Sequence, residues 1–184
     1  MFKKISLELG GKNPNIIFAD ADFDKAVSTA ARAAFTNQGQ ICLCGSRLFV
    51  QEEIYDKFKN ALVAKTAKLK VGDPKDATSN LGAVASKDHM QKILAKIELA
   101  RTLGGKILIG GNAIDDCFFE PTIIGNASDD MIFSKEEIFG PVAAIYKFST
   151  DQQAIQMANY QIYGLAYYFS SQNINTCLNS DSPL

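Results

Sequence analysis

The chain has 184 residues, 47% hydrophobic and 21% charged, the makeup of one globular domain that can bury a sizeable core. A formal net charge of −1, with Lys and Arg scattered among Asp and Glu, gives no long-range attraction to phosphate backbones or anionic lipid, so nucleic acid and membrane are poor partners. Four cysteines without a CxxC pair are too few for a disulfide framework and point to a reducing, cytoplasmic location, while His89 as the only histidine rules out a multi-histidine zinc site.

The opening MFKKISLELGG carries two lysines but no apolar stretch of signal-peptide length, and no later run reaches membrane-spanning length. Lys4 to Leu9 alternates polar and apolar residues, which predicts a half-buried strand ending at Glu8 and the Gly10-Gly11 pair. Asn15 to Phe18 is a short apolar run. Asp22 then caps a helix whose Phe23, Ala26, Val27, Ala30, Ala31, Ala34 and Phe35 recur at helical spacing. Arg47 to Gln51 reads as a strand and Glu52 to Leu69 as an amphipathic helix.

Ser86 to Leu103 is a second long helix, stopped by Gly104 and Gly105, and Lys106 to Ile109 begins another strand. Phe118 to Ile124, Val142 to Phe148 and Leu165 to Ser170 are strand-like, and Thr150 with Gln153 has capping-box spacing at the start of a helix. Strand and helix in alternation predict an α/β fold: an open, mostly parallel sheet with flanking helices. The last residues, QNINTCLNSDSPL, lose apolar periodicity and are expected to fray.

Three stretches carry candidate chemistry. In LELGGKNP, Glu8 is an acid presented beside backbone that another group can approach closely, or else a solvated glutamate before a turn. In FTNQGQICLCGSR, Cys42 follows a Gly-Gln pair at an expected loop-to-helix transition, where amide hydrogens and the positive helix end favour a thiolate, or else it is a small buried hydrophobe. A metal site at Cys42 and Cys44 has no second thiol or imidazole cluster nearby in sequence to complete it. In SKEEIFGPV, Ser134 and Glu137 have capping-box spacing, but Pro141 cuts any helix short. Glu137 therefore reads as a carboxylate held in a rigid turn beside Phe139, suited to a ribose diol or to a surface ion pair.

In this order, LELGGKNP, FTNQGQIC, EEIFGPV and a YGLA strand resemble the aldehyde dehydrogenase superfamily, from about residue 3 to about residue 172. The resemblance implies Cys42 as nucleophile, Glu8 as general base, and Glu137 and Phe139 as contacts to the nicotinamide-side ribose of NAD or NADP. Cys44 falls where that family does not place the nucleophile. ICLCGSR, KVGDP and LGAVASK look most like the branch that oxidises muconic semialdehydes. The implied reaction converts an aldehyde to a carboxylic acid through a thiohemiacetal and a thioester, with a partly desolvated carboxylate replacing the histidine of other cysteine enzymes.

Residues 1–172 are thus expected to be part of an aldehyde dehydrogenase catalytic domain, truncated at both ends, and 173–184 a poorly ordered or divergent tail. The family's nucleotide-binding segment has no counterpart before LELGG, which predicts doubtful cofactor binding and negligible dehydrogenase turnover by this chain alone. A residual thiol esterase and a non-catalytic fragment or interaction module remain as alternatives. Members of the family oligomerise, but the chain gives no basis for predicting an assembly.

Overall fold

Pro14–Ile17, buried at all four positions, forms β1 of a computed structural model that describes residues 2–127 and 131–181. Asp22 accepts a hydrogen bond from the Lys25 amide and so caps α1, Phe23–Phe35. A short 3-10 turn leads from it toward β2, Arg47–Gln51, and α2, Glu52–Thr66. Ser86 caps α3, Lys87–Thr102, and β3, Lys106–Ile109, turns back antiparallel on β4, Thr122–Gly125. After α4, Ile132–Lys135, come β5, Val142–Phe148, α5, Asp151–Ala158, β6, Tyr168–Ser170, and α6, Ile174–Asp181.

The six described strands form one sheet in the order β3-β4-β5-β2-β1-β6, with every neighbouring pair parallel except β3 and β4. Alternation along each strand divides the core in two. Ile16, Phe49, Ala144 and Tyr146 pack toward α3 and α5, while Ile17, Leu48, Val50 and Ile145 pack toward α1 and α2. A sheet covered on both faces explains why β2 and β5 read as nearly continuous apolar runs. Among the described residues, no helix is long and apolar enough to cross a membrane.

Three expectations need correction. Lys4 to Leu9 is not a strand: Ile5, Leu7 and Leu9 are 80%, 67% and 55% exposed, and no described strand pairs with that segment, without which alternation has nothing to bury against. The two regions Phe118 to Ile124 and Leu165 to Ser170 contain shorter strands than their apolar lengths suggest. Residues 174–181 form α6 instead of fraying, because Asp20 accepts hydrogen bonds from the Gln172 and Asn173 amides and Asn173 Oδ1 caps the amide of Asn175. Residues 182–184 lie outside the described residues. At SKEEIFGPV the helix is short, as Pro141 requires: Ser134 lies within α4, buried, with its hydroxyl against that of Tyr146.

Candidate active site

The chemical motifs lie immediately before strands that run the same way. Glu8 to Asn13 leads into β1, Gln40 to Ser46 into β2, Glu137 to Pro141 into β5, and Gly164 to Tyr167 into β6. Since β5, β2, β1 and β6 are consecutive neighbours and mutually parallel, their leading ends form one edge, and the four segments meet there. Glu8, Gly10, Cys42, Glu137 and Phe139 border a single cleft of about 440 Å³. The topology therefore brings together all four side chains expected from sequence.

The cleft is built by close backbone approach. A Cβ on Gly11 would lie 2.2 Å from the Cys42 carbonyl oxygen, so that approach requires glycine. Gly39, at φ +67°, makes a comparable contact with the Gly140 carbonyl, joining the Cys42 turn to the FGP turn. Asn37 and Gln38 also adopt left-handed φ of 52° and 56°, a concentration of backbone strain of the kind found at functional sites.

Asn13, 1% exposed, is the clamp that sequence reasoning missed. Its Nδ2 donates to the carbonyls of Cys42 and Cys44 at 2.7 and 3.1 Å, and its Oδ1 accepts from the Ala166 amide at 3.1 Å, tying three of the four segments together. Its only local signal is an asparagine placed just after the paired glycines. His89 likewise gains a place only in the fold: its Nε2 lies 2.6 Å from the Phe139 carbonyl oxygen, and its ring meets Phe139 edge-on. The Ala85 amide donates to Gln40 Oε1 at 2.9 Å, so LGAVASK borders the Cys42 turn as well.

Cys42 sits half-buried in a turn, and the chain proceeds from it into β2. The expected helix N-terminus is absent there, because Gly45 and Ser46 carry the backbone straight into the strand. Cys44 is buried, and burial pushes its thiol above the usual value. Glu137 is half-buried, with Oε1 accepting from the Gly11 amide at 3.2 Å, as a carboxylate fixed in a turn requires. Phe139 is exposed at φ 55° and presents its ring to the cleft. Glu8 is exposed, contrary to the expected partial desolvation, because no described element covers residues 2–9.

Beneath the cleft, Lys12 and Arg47 are almost fully buried. Arg47 donates to the carbonyls of Lys12, Met157 and Ala158, fastening the LELGGKNP segment to the end of α5. Burial, reinforced by the charges of Arg47 and Lys96, lowers the Lys12 pKa to about 7. An unfolded lysine holds its proton to about pH 10.4, so above pH 7 the unfolded chain binds more protons at this site and stability rises with pH. The window closes near pH 8.5, where unfolded cysteine ionises and the raised Cys44 thiol acts in the opposite sense. Urea midpoints measured from about pH 7 to 8.5 should climb for the wild type and flatten in Lys12→Met; a wild-type midpoint that falls over this interval contradicts the assignment.

A model described as the aldehyde dehydrogenase family matches residues 1–183. The chain is 47% identical over 175 residues to aldehyde dehydrogenase family 2 member C4 of Arabidopsis thaliana, covering 94% of this chain and 35% of that protein. Mitochondrial succinate-semialdehyde dehydrogenase of the same plant is 46% identical over 175 residues, with 94% and 33% covered. Betaine aldehyde dehydrogenase from Staphylococcus aureus, solved in complex with NAD+, superimposes with a TM-score of 0.93 at 44% identity over 96% of this chain and 36% of that one. The chain thus spans about a third of the length of these relatives.

Proposed function

Because the chain belongs to the aldehyde dehydrogenase family, we propose that it contributes the nucleophile, base and ribose-contacting groups for NAD- or NADP-dependent oxidation of an aldehyde to a carboxylic acid. The observation that carries this reading is the cleft bordered jointly by Cys42, Glu8, Glu137 and Phe139. The NAD+ complex of the similar Staphylococcus aureus enzyme supports the choice of cofactor class.

The residues present fit a nicotinamide nucleotide. One Glu137 oxygen is held by the Gly11 amide, which leaves the carboxylate oriented to accept ribose hydroxyls, and the exposed Phe139 ring offers an apolar surface beside it. When bound, the nicotinamide accepts a hydride from the substrate carbon.

The Cys42 thiolate adds to the aldehyde carbon, forming a C–S bond and an alkoxide. An aldehyde has no other leaving group, so re-formation of the carbonyl expels hydride and leaves an acyl thioester on Cys42. Glu8 takes a proton from water as that water attacks the thioester carbon, and collapse of the tetrahedral adduct releases the acid and the thiolate. The exposed Glu8 approaches this water from the segment that borders the same cleft. In this reading the Cys42 amide supplies one donor to the oxyanion, a contact worth about 3 kcal/mol in comparable sites.

The finer reading is a muconic semialdehyde substrate, supported by ICLCGSR, KVGDP and LGAVASK, together with a cytoplasmic location. The similarity to succinate-semialdehyde dehydrogenase is compatible with an acidic aldehyde. The test presents Cys42 with an activated acyl donor, which needs no nucleotide: protein is mixed with a p-nitrophenyl ester, quenched in acid, and the Cys42 peptide is weighed. Acyl mass on that peptide, lost in Cys42→Ala, is the expected result; no acyl mass at Cys42 refutes the proposal.

A further inference from the structure

Cys42 sits in a four-residue turn closed by a backbone hydrogen bond from the Cys44 amide to the Ile41 carbonyl at 2.9 Å. The weak point of such a turn is its central peptide, here Cys42–Leu43, because turning that unit over exchanges one turn type for another while the ends stay in place. A planar trans peptide carries its C=O and N–H on opposite sides. Its orientation therefore decides whether a carbonyl oxygen or an amide hydrogen stands on the outer side of the turn, where Cys42 meets the cleft.

The carbonyls of Cys42, Leu43 and Cys44 are all held by side chains from other strands. Asn13 Nδ2 donates to those of Cys42 and Cys44 at 2.7 and 3.1 Å, and Tyr168 donates its hydroxyl to that of Leu43 at 2.6 Å. Parallel pairing of β1 with β6 sets both donors in place. Asn15 lies opposite Tyr168, so two residues back on each strand Asn13 meets Ala166, whose amide donates to Asn13 Oδ1 at 3.1 Å. The Tyr168 ring lies against Gly45, where a Cβ would stand 3.2 Å from its Cδ2. Since Asn13 is 1% exposed, the Cys42 carbonyl points inward, and the Leu43 N–H of the same peptide points outward.

Two penalties compete over this orientation. Reversal would carry Leu43 into left-handed φ, which it does not now have and which leucine disfavours. Removal of the Asn13 amide would leave two inward carbonyls without their donor, a penalty of similar size that reversal relieves by turning the Cys42 carbonyl toward water. The asparagine thus settles what the leucine alone leaves nearly balanced. A reversed peptide would set the negative end of a carbonyl dipole beside the Cys42 sulfur and disfavour its thiolate.

We propose that Asn13, with Tyr168 as its second support, is a positioning residue for Cys42, locking the Cys42–Leu43 peptide so that its carbonyl oxygen stays on the side away from the cleft. The proposal rests on Cys42 as the nucleophile and adds what keeps that sulfur reactive.

The test follows alkylation of Cys42 in the full chain by iodoacetamide from about pH 6 to 9.5, and its acylation by p-nitrophenyl acetate, with the Cys42 peptide weighed in both. Around the sulfur the titratable groups are Glu8 and Glu137 at the cleft, and Cys44 and Tyr168 beside the turn. Burial raises the Tyr168 phenol above its usual value, so it is uncharged over this interval, and neither Tyr168→Phe nor Asn13→Ala removes a charge. Asn13→Ala should move the alkylation curve to higher pH, with rates converging at the alkaline end, and slow acylation near neutral pH about tenfold. Tyr168→Phe should act in the same direction and slow acylation about threefold. Thr150→Ala, which removes the α5 cap and lowers stability away from the turn, should leave the curve in place. An unmoved curve in Tyr168→Phe overturns the proposal even where Asn13→Ala does not fold, and so does an equal shift in Thr150→Ala. If wild-type Cys42 is alkylated but takes no acyl group, it is the nucleophile reading that falls, and the alkylation curves still decide the lock.

Discussion

Cys42→Ala should remove the burst of nitrophenol that follows mixing with a p-nitrophenyl ester, a loss of about a thousandfold or more in acylation rate, whereas Cys44→Ala should retain most of it. The two thiols are separated by one residue, so the contrast tests position and environment directly. Cys42 borders the reactive cleft and is half-buried; Cys44 is buried, and burial holds its thiol above the ordinary range. The thiolate is the attacking species, and a buried thiol with a raised pKa supplies little of it near neutral pH. A thousandfold loss corresponds to about 4 kcal/mol of transition-state stabilisation, far more than removal of a neighbouring sulfur would cost by repacking the turn. Mass spectrometry of the trapped acyl group identifies the sulfur. Acylation at Cys44, or an unchanged burst in Cys42→Ala, would place the chemistry elsewhere.

The single histidine makes this result more informative. His89 Nε2 is occupied with the Phe139 carbonyl oxygen, on the side of the cleft occupied by the FGP turn. Among the described residues, the one carboxylate that borders the cleft apart from the fixed Glu137 is Glu8. Glu8→Gln should accordingly let the acyl-enzyme form and slow its hydrolysis, so the burst persists while the steady phase declines.

Sequence patterns identified what depends on neighbours along the chain. The apolar stripe of α1 and its Asp22 cap, the Thr150 cap of α5 and the glycines ending α3 are local consequences of side-chain spacing and backbone preference, and the structure contains them. The same local pattern misled at Lys4 to Leu9, because alternation describes what a strand would bury without specifying a partner. The candidate side chains were legible as ordered motifs, but their meeting depends on strand order. That order brings the entrances of β5, β2, β1 and β6 to one edge from positions far apart in sequence. Asn13 escaped notice for the same reason: two of its partners lie about 30 residues away and the third lies 153 residues away.

Gly11→Ala should disrupt the site more severely than a one-carbon change ordinarily does. The added Cβ would sit 2.2 Å from the Cys42 carbonyl oxygen, and that oxygen is already held by Asn13 Nδ2 at 2.7 Å, so the clash cannot be relieved by rotating a side chain. Either the LELGG backbone or the Cys42 turn must move. A displacement of about 1 Å at a reacting atom can cost about a hundredfold in rate, and forced backbone shifts in packed regions cost about 1–3 kcal/mol. Acylation of Cys42 should therefore fall about a hundredfold, with a drop in melting temperature of about 2–4 °C for each kcal/mol lost. Gly104→Ala provides the comparison: Gly104 has φ +90° but no atom within 4 Å of the position a Cβ would take, so that substitution carries conformational strain without pressing on the turn. It should lower stability and spare acylation. Equal losses of acylation in the two variants would mean that the Gly11 contact does not position Cys42, and that the cleft depends on general stability instead of on this one close approach.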